Sequence, residues 1–137
     1  MIDDYLFLDP EDIRYLHDEA IDDFGGLYGE HESGMIDYMA EKPFQYSYGQ
    51  ELFPDLFLKA AVYLHGFATH QYFVDGNKRT GVKCCITFLL INGYEITVED
   101  EHLELYYVAK KVANKRMDID DIAKWLKENS IRNLSYL

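Results

Sequence analysis

From Asp9 onward the apolar positions of the chain fall at helical spacing: Ile13, Leu16, His17, Ala20, Ile21 and Phe24 share one face. Asp9 is placed to cap this helix, Pro10 suits its first turn, and Asp12 stands three residues after the cap. Gly25 and Gly26 end it. His17, on the apolar face, reads as a core histidine with a hydrogen-bonded partner rather than a ligand. A short helix is expected from Ser33, stopping before Pro43. Phe44, Tyr46 and Tyr48 then alternate with polar residues until Gly49 breaks the run, which predicts an extended flap or a short hairpin.

The next two segments differ in pattern. Between Pro54 and Thr69 the apolar residues cover most of the helix circumference, and the run "TGVKCCITFLLINGY" does the same up to Asn92 and Gly93. A helix that is apolar nearly all round is buried on all sides, so these two are read as central. After an extended piece, "YEITV", a helix is expected from Asp100 to Ala113 with Leu105, Val108, Ala109 and Val112 inward. The last helix starts at Asp118, with Asp121 three residues on and Ile119, Ile122, Ala123 and Leu126 as its stripe. The predicted fold class is all-α, one domain over residues 1–137, with two central buried helices flanking a loop and a short flap.

Charge narrows the function. The formal net charge is −12, which argues against a nucleic-acid partner. Residues 1–32 hold eleven acids and one cation, Arg14. A solvated helix face is the expectation there, with a basic partner as the alternative. Residues 76–83 carry Lys78, Arg79 and Lys83 and no acid, a candidate anion site in an acidic chain. The adjacent Cys84 and Cys85 do not have zinc-ligand spacing and are expected to pack as small hydrophobes in a reducing compartment. No signal peptide and no membrane-length apolar run is read, so a cytoplasmic protein is expected.

The loop between the central helices is "ATHQYFVDGNKRTG", residues 68–81. Its second half leads into a helix N-terminus, where free N–H groups and the helix dipole favour an anion. Gly76 lets the backbone approach a ligand. Asn77 can cap the helix or bind a phosphate oxygen, and Lys78 and Arg79 supply charge, with Arg79 able to form bidentate contacts. Asp75 is suited to Mg²⁺ bridging phosphates. An Asp-Gly turn beside two surface cations would use the same residues.

The loop resembles the Fic/Doc signature H-x-F-x-(D/E)-G-N-(G/K)-R, and "FVDGNKRTG" is similar to the Doc, or death-on-curing, branch. The likeness spans roughly residues 9 to 97, including "LHDEAIDDFGGLYG" and "TGVKCCITFLLINGYEI". It implies nucleotide-dependent transfer to a protein hydroxyl: AMP in most Fic proteins, a phosphoryl group in Doc toxins. By this resemblance Asp75 holds Mg²⁺, while Gly76, Asn77, Lys78 and Arg79 bind the phosphates of ATP, and Phe73 packs the loop onto the core. Lys78 stands where AMP-transferring members usually have Gly, and Val82 where they have a second Arg. Both details lean toward a Doc-type kinase. The family's toxins act on translation, with a Phd-type antitoxin as partner.

One position departs from the pattern. The family His lies four residues before the metal acid and two before the Phe, which gives Gln71, with His70 one place earlier and Tyr72 at the usual Pro. A glutamine amide cannot act as the general base, a role typically worth about 10²- to 10⁴-fold. The expectation is therefore a Doc-like phosphotransferase weakened or disabled at Gln71. The alternatives are a non-catalytic relative that binds a nucleotide or protein partner, and an AMP transferase. His70 is the less favoured substitute: one residue along a helix turns a side chain by about 100°, so it would serve only if the helix end rewound.

Overall fold

The computed structural model describes residues 5–32 and 34–136. Among the described residues six α-helices form the fold, in the order α1 (Pro10–Phe24), α2 (Met35–Glu41), α3 (Leu56–Thr69), α4 (Asn77–Ile91), α5 (Glu101–Ala113) and α6 (Ile119–Glu128). The fold class is all-α, with two small antiparallel ribbons. β1 (Tyr46–Ser47) pairs with β2 (Gln50–Glu51), and β3 (Tyr94–Ile96) with β4 (Ser130–Arg132).

Local chemistry accounts for most helix ends. Asp9 and Asp118 each form a capping box, with Asp12 and Asp121 reaching back to the cap N–H. Asp55 and Asp100 cap α3 and α5 through their side chains. The expected start of α2 at Ser33 lies outside the described residues. The helix stops at Glu41, before Pro43 as expected, and passes directly into a 3₁₀ turn, Lys42–Phe44, that contains Pro43. Proline is tolerated there: the first residues of a new helical turn need no N–H.

The flap is a hairpin. Its two-residue turn, Tyr48–Gly49, has positive φ at both positions (52° and 77°), as a twist-matched tight turn requires. The first three residues of "YEITV" form β3, but the periodicity of the C-terminal end did not reveal its partner, β4.

α3 and α4 are the central pair. α3 packs on α4, α5 and α6, and α4 also meets α1 and α5. The core residues of both are buried, as are Leu105, Val108, Ala109, Val112, Ile122, Ala123 and Leu126 from the last two helices. A Cβ on Gly81 would lie 3.1 Å from Phe67 Cβ and 3.3 Å from the Leu64 backbone, so glycine lets the start of α4 lie close on α3. Cys84 and Cys85 are buried as small core residues.

Lys59 of α3 is a fully enclosed charge, 0% exposed, and its Nζ donates to Glu51 Oε1 at 2.9 Å, the Phe53 carbonyl at 2.6 Å and the Pro43 carbonyl at 3.3 Å. It ties the flap and the 3₁₀ turn to the central helix. Removing it strands Glu51 and two carbonyls. Lys59→Met is expected to lower unfolding free energy by about 3 kcal/mol, read from the urea midpoint.

Candidate functional site

The site is built around the turn between α3 and α4. Phe73 is buried, its ring stacked on His17 of α1 (centroids 3.7 Å apart, 6° between planes) and on Phe67 of α3 (5.8 Å, 21°). Asn77 closes the loop behind it: Oδ1 accepts from the Phe73 N–H at 3.0 Å, and Nδ2 donates to the Phe73 carbonyl at 2.9 Å. His17 Nε2 donates to the Asp75 carbonyl at 2.7 Å. His17 is thus the buried, partnered histidine expected from its position, and what it holds is the backbone of the loop.

A second strand of chain supports the loop from outside. Val74 N–H donates to the Gly29 carbonyl at 2.9 Å, and His31 N–H to the Tyr72 carbonyl at 2.8 Å. Before that, the chain crosses under Asp75 at Gly26, where φ is 118° and an added Cβ would lie 3.1 Å from Asp75 Cβ. Only glycine suits both the conformation and the gap. The crossing brings Leu27 N–H to Asp75 Oδ2 at 2.8 Å, which fixes the carboxylate and leaves Oδ1 without a hydrogen bond among the described residues.

These elements surround a cavity of about 560 Å³, lined in part by Gly26, Thr69, His70, Gln71, Asp75, Gly76, Asn77, Lys78, Arg79 and Tyr106. His70, Gln71 and residues 75–79 of the loop therefore border one space, while Tyr72 and Phe73 pack into the core. α4 starts at its edge, with Gly76 as N-cap in the left-handed region (φ 78°) and no side chain capping the helix. The first N–H groups of α4 are left for an anion.

The electrostatics are selective. Lys83, grouped with Lys78 and Arg79 by sequence, belongs elsewhere: its Nζ is buried against Glu19 at 2.9 Å and Asp23 at 3.3 Å on α1. The sequence neighbourhood held no acid, but the packing of α1 on α4 supplied two. Lys78 and Arg79 form no ion pair among the described residues. Two positive charges are thus left unneutralised on the cavity of an acidic chain.

Arg79 is held by aromatic rings. Its guanidinium lies 3.7 Å from the Phe24 centroid and 4.1 Å from that of Tyr106, so α1, α4 and α5 meet on it. Rings on its faces leave the N–H edges for an acceptor, the geometry that suits a phosphate oxygen pair. Phe24 was expected to face inward with the α1 stripe. It is instead 52% exposed, at the last turn of α1, where the core has ended and Arg79 is its neighbour. Nothing in the periodicity marks Tyr106 as a site residue; only the packing of α5 brings it there.

The helix ends where its apolar run does. α3 stops at Thr69, and His70 has extended backbone, φ −134° and ψ 157°. The rotation of about 100° per helical residue does not apply between His70 and Gln71. Both line the cavity. The buried cysteines contribute no nucleophile, because burial pushes both thiols well above their usual range. Among the described residues, no cluster of three His, Cys, Asp or Glu could hold a metal by itself, and no helix is long and apolar enough to cross a membrane.

Comparison with known proteins gives consistent matches. The profile of the Fic/DOC family matches residues 7–89. The chain is 33% identical over 117 residues to "Toxin Doc" of Mycolicibacterium smegmatis, covering 85% of this chain and 88% of that protein. It is 33% identical over 98 residues to "Protein kinase doc" of Escherichia phage P1, covering 72% and 77% respectively.

The aromatic clamp has a measurable consequence. Tyr106→Leu removes one ring from Arg79 and is expected to weaken binding of inorganic triphosphate by about two- to fivefold, the effect of a partly exposed cation–π contact. Isothermal titration calorimetry measures this, with a thermal melt as the control for folding.

Proposed function

Because the chain belongs to the Fic/Doc family, we propose that it is a Doc-like toxin that transfers the γ-phosphoryl group of ATP to a hydroxyl of a protein. The observation that carries this reading is a convergence on one cavity: unpaired Lys78 and Arg79, the uncapped start of α4 and the Asp75 carboxylate. Such a set binds a polyphosphate by charge, by bidentate contacts and by backbone N–H groups.

Phosphoryl transfer relies on positioning and on stabilising charge. In the proposed reaction the acceptor oxygen attacks the γ phosphorus, the bond to the bridging oxygen breaks, and ADP leaves with that electron pair. Lys78 and Arg79 hold the phosphates in line, and the rigid loop keeps them there. Mg²⁺ fits the site, since it binds through one or two carboxylates together with phosphates, and Asp75 has an oxygen free for it. Asp75 would hold the ion, which would supply charge neutralisation at the phosphates.

Transfer of the γ group rather than AMP is favoured by the cations present. Lys78 occupies the place where AMP-transferring relatives usually have Gly. Val82, at the place of their second Arg, is 3% exposed and does not line the cavity. Gln71 offers no basicity, so turnover is expected to be slower than in a relative with His there. The family resemblance adds a protein substrate from the translation machinery and a Phd-type antitoxin as partner, in the cytoplasm.

Two measurements test the reading. With Mg²⁺, a bacterial lysate and ATP labelled at either the α or the γ position, protein label above the lysate-only control is expected from γ alone. Label from α would replace the kinase reading with AMP transfer, and no label from either would leave a non-catalytic relative. Separately, Arg79→Ala is expected to weaken Mg²⁺–ATP binding by about tenfold or more, the loss of a charge-assisted hydrogen bond, as read by titration calorimetry.

A further inference from the structure

We propose that His70 is the general base of this phosphoryl transfer. The inference rests on the phosphotransferase reading and adds to it the group that removes the proton. His70 lines the same cavity as Asp75, Asn77, Lys78 and Arg79. It has left the helix, so its side chain is not confined to the face that a helical register would give it.

Its hydrogen bonds define which nitrogen carries the proton. Nδ1 lies 3.2 Å from the Gly66 carbonyl and 3.0 Å from Thr69 Oγ1. The carbonyl can only accept. The Thr69 hydroxyl already donates to the His65 carbonyl at 2.7 Å, so toward His70 it too acts as an acceptor. Both neighbours of Nδ1 therefore call for a proton on Nδ1. In the neutral ring the lone pair is then on Nε2, which has no partner among the described residues. A ring oriented through one nitrogen, with the other free, is the arrangement of a general base.

The ring plane is fixed as well. His70 stacks on Tyr72 (centroids 4.9 Å apart, 5° between planes), and Tyr72 is buried edge-on against Phe67 at 6.1 Å. Tyr72 replaces the Pro of the family pattern, and a proline ring offers no such aromatic face. The departures at positions 70, 71 and 72 thus form one arrangement: Gln71 has no base, His70 supplies one, and Tyr72 holds it. In the step itself, His70 Nε2 takes the acceptor hydroxyl proton as the oxygen–phosphorus bond forms and ADP departs. The imidazolium then returns the proton to solvent.

The test uses the full chain with Mg²⁺, γ-labelled ATP and a bacterial lysate. His70→Phe keeps a ring on Tyr72 and removes both nitrogens. It is expected to bind Mg²⁺–ATP as the unaltered chain does, yet to lose transfer by about 100-fold or more. His70→Ala is expected to regain part of its activity when imidazole is added, which a purely structural role would not produce. If the unaltered chain transfers label and His70→Phe matches it, the assignment is overturned while the kinase reading stands. If the unaltered chain transfers none, both fall.

Discussion

The burial of Phe73 is the constraint on which the site depends. Its ring lies between His17 of α1 and Phe67 of α3, and each contact fixes a different part of the loop. The backbone on either side of a buried ring cannot be left unpaired, since an unsatisfied N–H or carbonyl costs on the order of 1–3 kcal/mol. Asn77 satisfies the Phe73 N–H and carbonyl together, and His17 satisfies the Asp75 carbonyl. The turn is therefore set by packing and hydrogen bonds within the protein. The groups that face the cavity are left over from that construction and are held in place before any ligand arrives.

Charge distribution follows the same logic. The chain has nearly twice as many acids as cations, 25 against 13, yet its packing directs the acids away from Lys78 and Arg79. Glu19 and Asp23 are engaged by Lys83, and Glu11 and Glu30 by Arg14. Aromatic rings serve Arg79 instead of a carboxylate. A ring orients a guanidinium without neutralising it, so the charge stays available to a phosphate. The acidic N-terminal end is accordingly more than a solvated face: part of it neutralises the cation that would otherwise stand beside the site.

At the junction between α3 and the loop, the proposed shift of the base by one position has a backbone basis. A residue inside a helix cannot take its neighbour's place, because the side chains diverge. At the last residue of a helix that restriction ends. His70 is the C-cap, its backbone is extended, and it borders the cavity together with Gln71. The buried Tyr72 ring then gives the imidazole a surface to rest on.

Much of the fold was legible in the sequence because its signals are local. Capping residues, the periodic stripes of α1, α5 and α6 and the all-round apolar character of α3 and α4 depend on neighbours within a few positions, and they located the helices. That residues 75–79 border one space was legible for the same reason, since a helix N-terminus presents consecutive residues to one place. What the sequence could not decide was any contact between distant segments. Lys83 looked like a third site cation until α1 packed against it, and Phe24 looked like a core residue until α1 ended. Tyr106 and the Leu27 N–H carried no local signal at all, and β4 became the partner of β3 only through the path of α5 and α6. His70 falls between the two: its residue type and spacing were plain to read, but its direction depended on where α3 stops and on what Tyr72 packs against. Periodicity reports which face of an element is buried, and only the tertiary packing decides what that face, or a residue just past its end, meets.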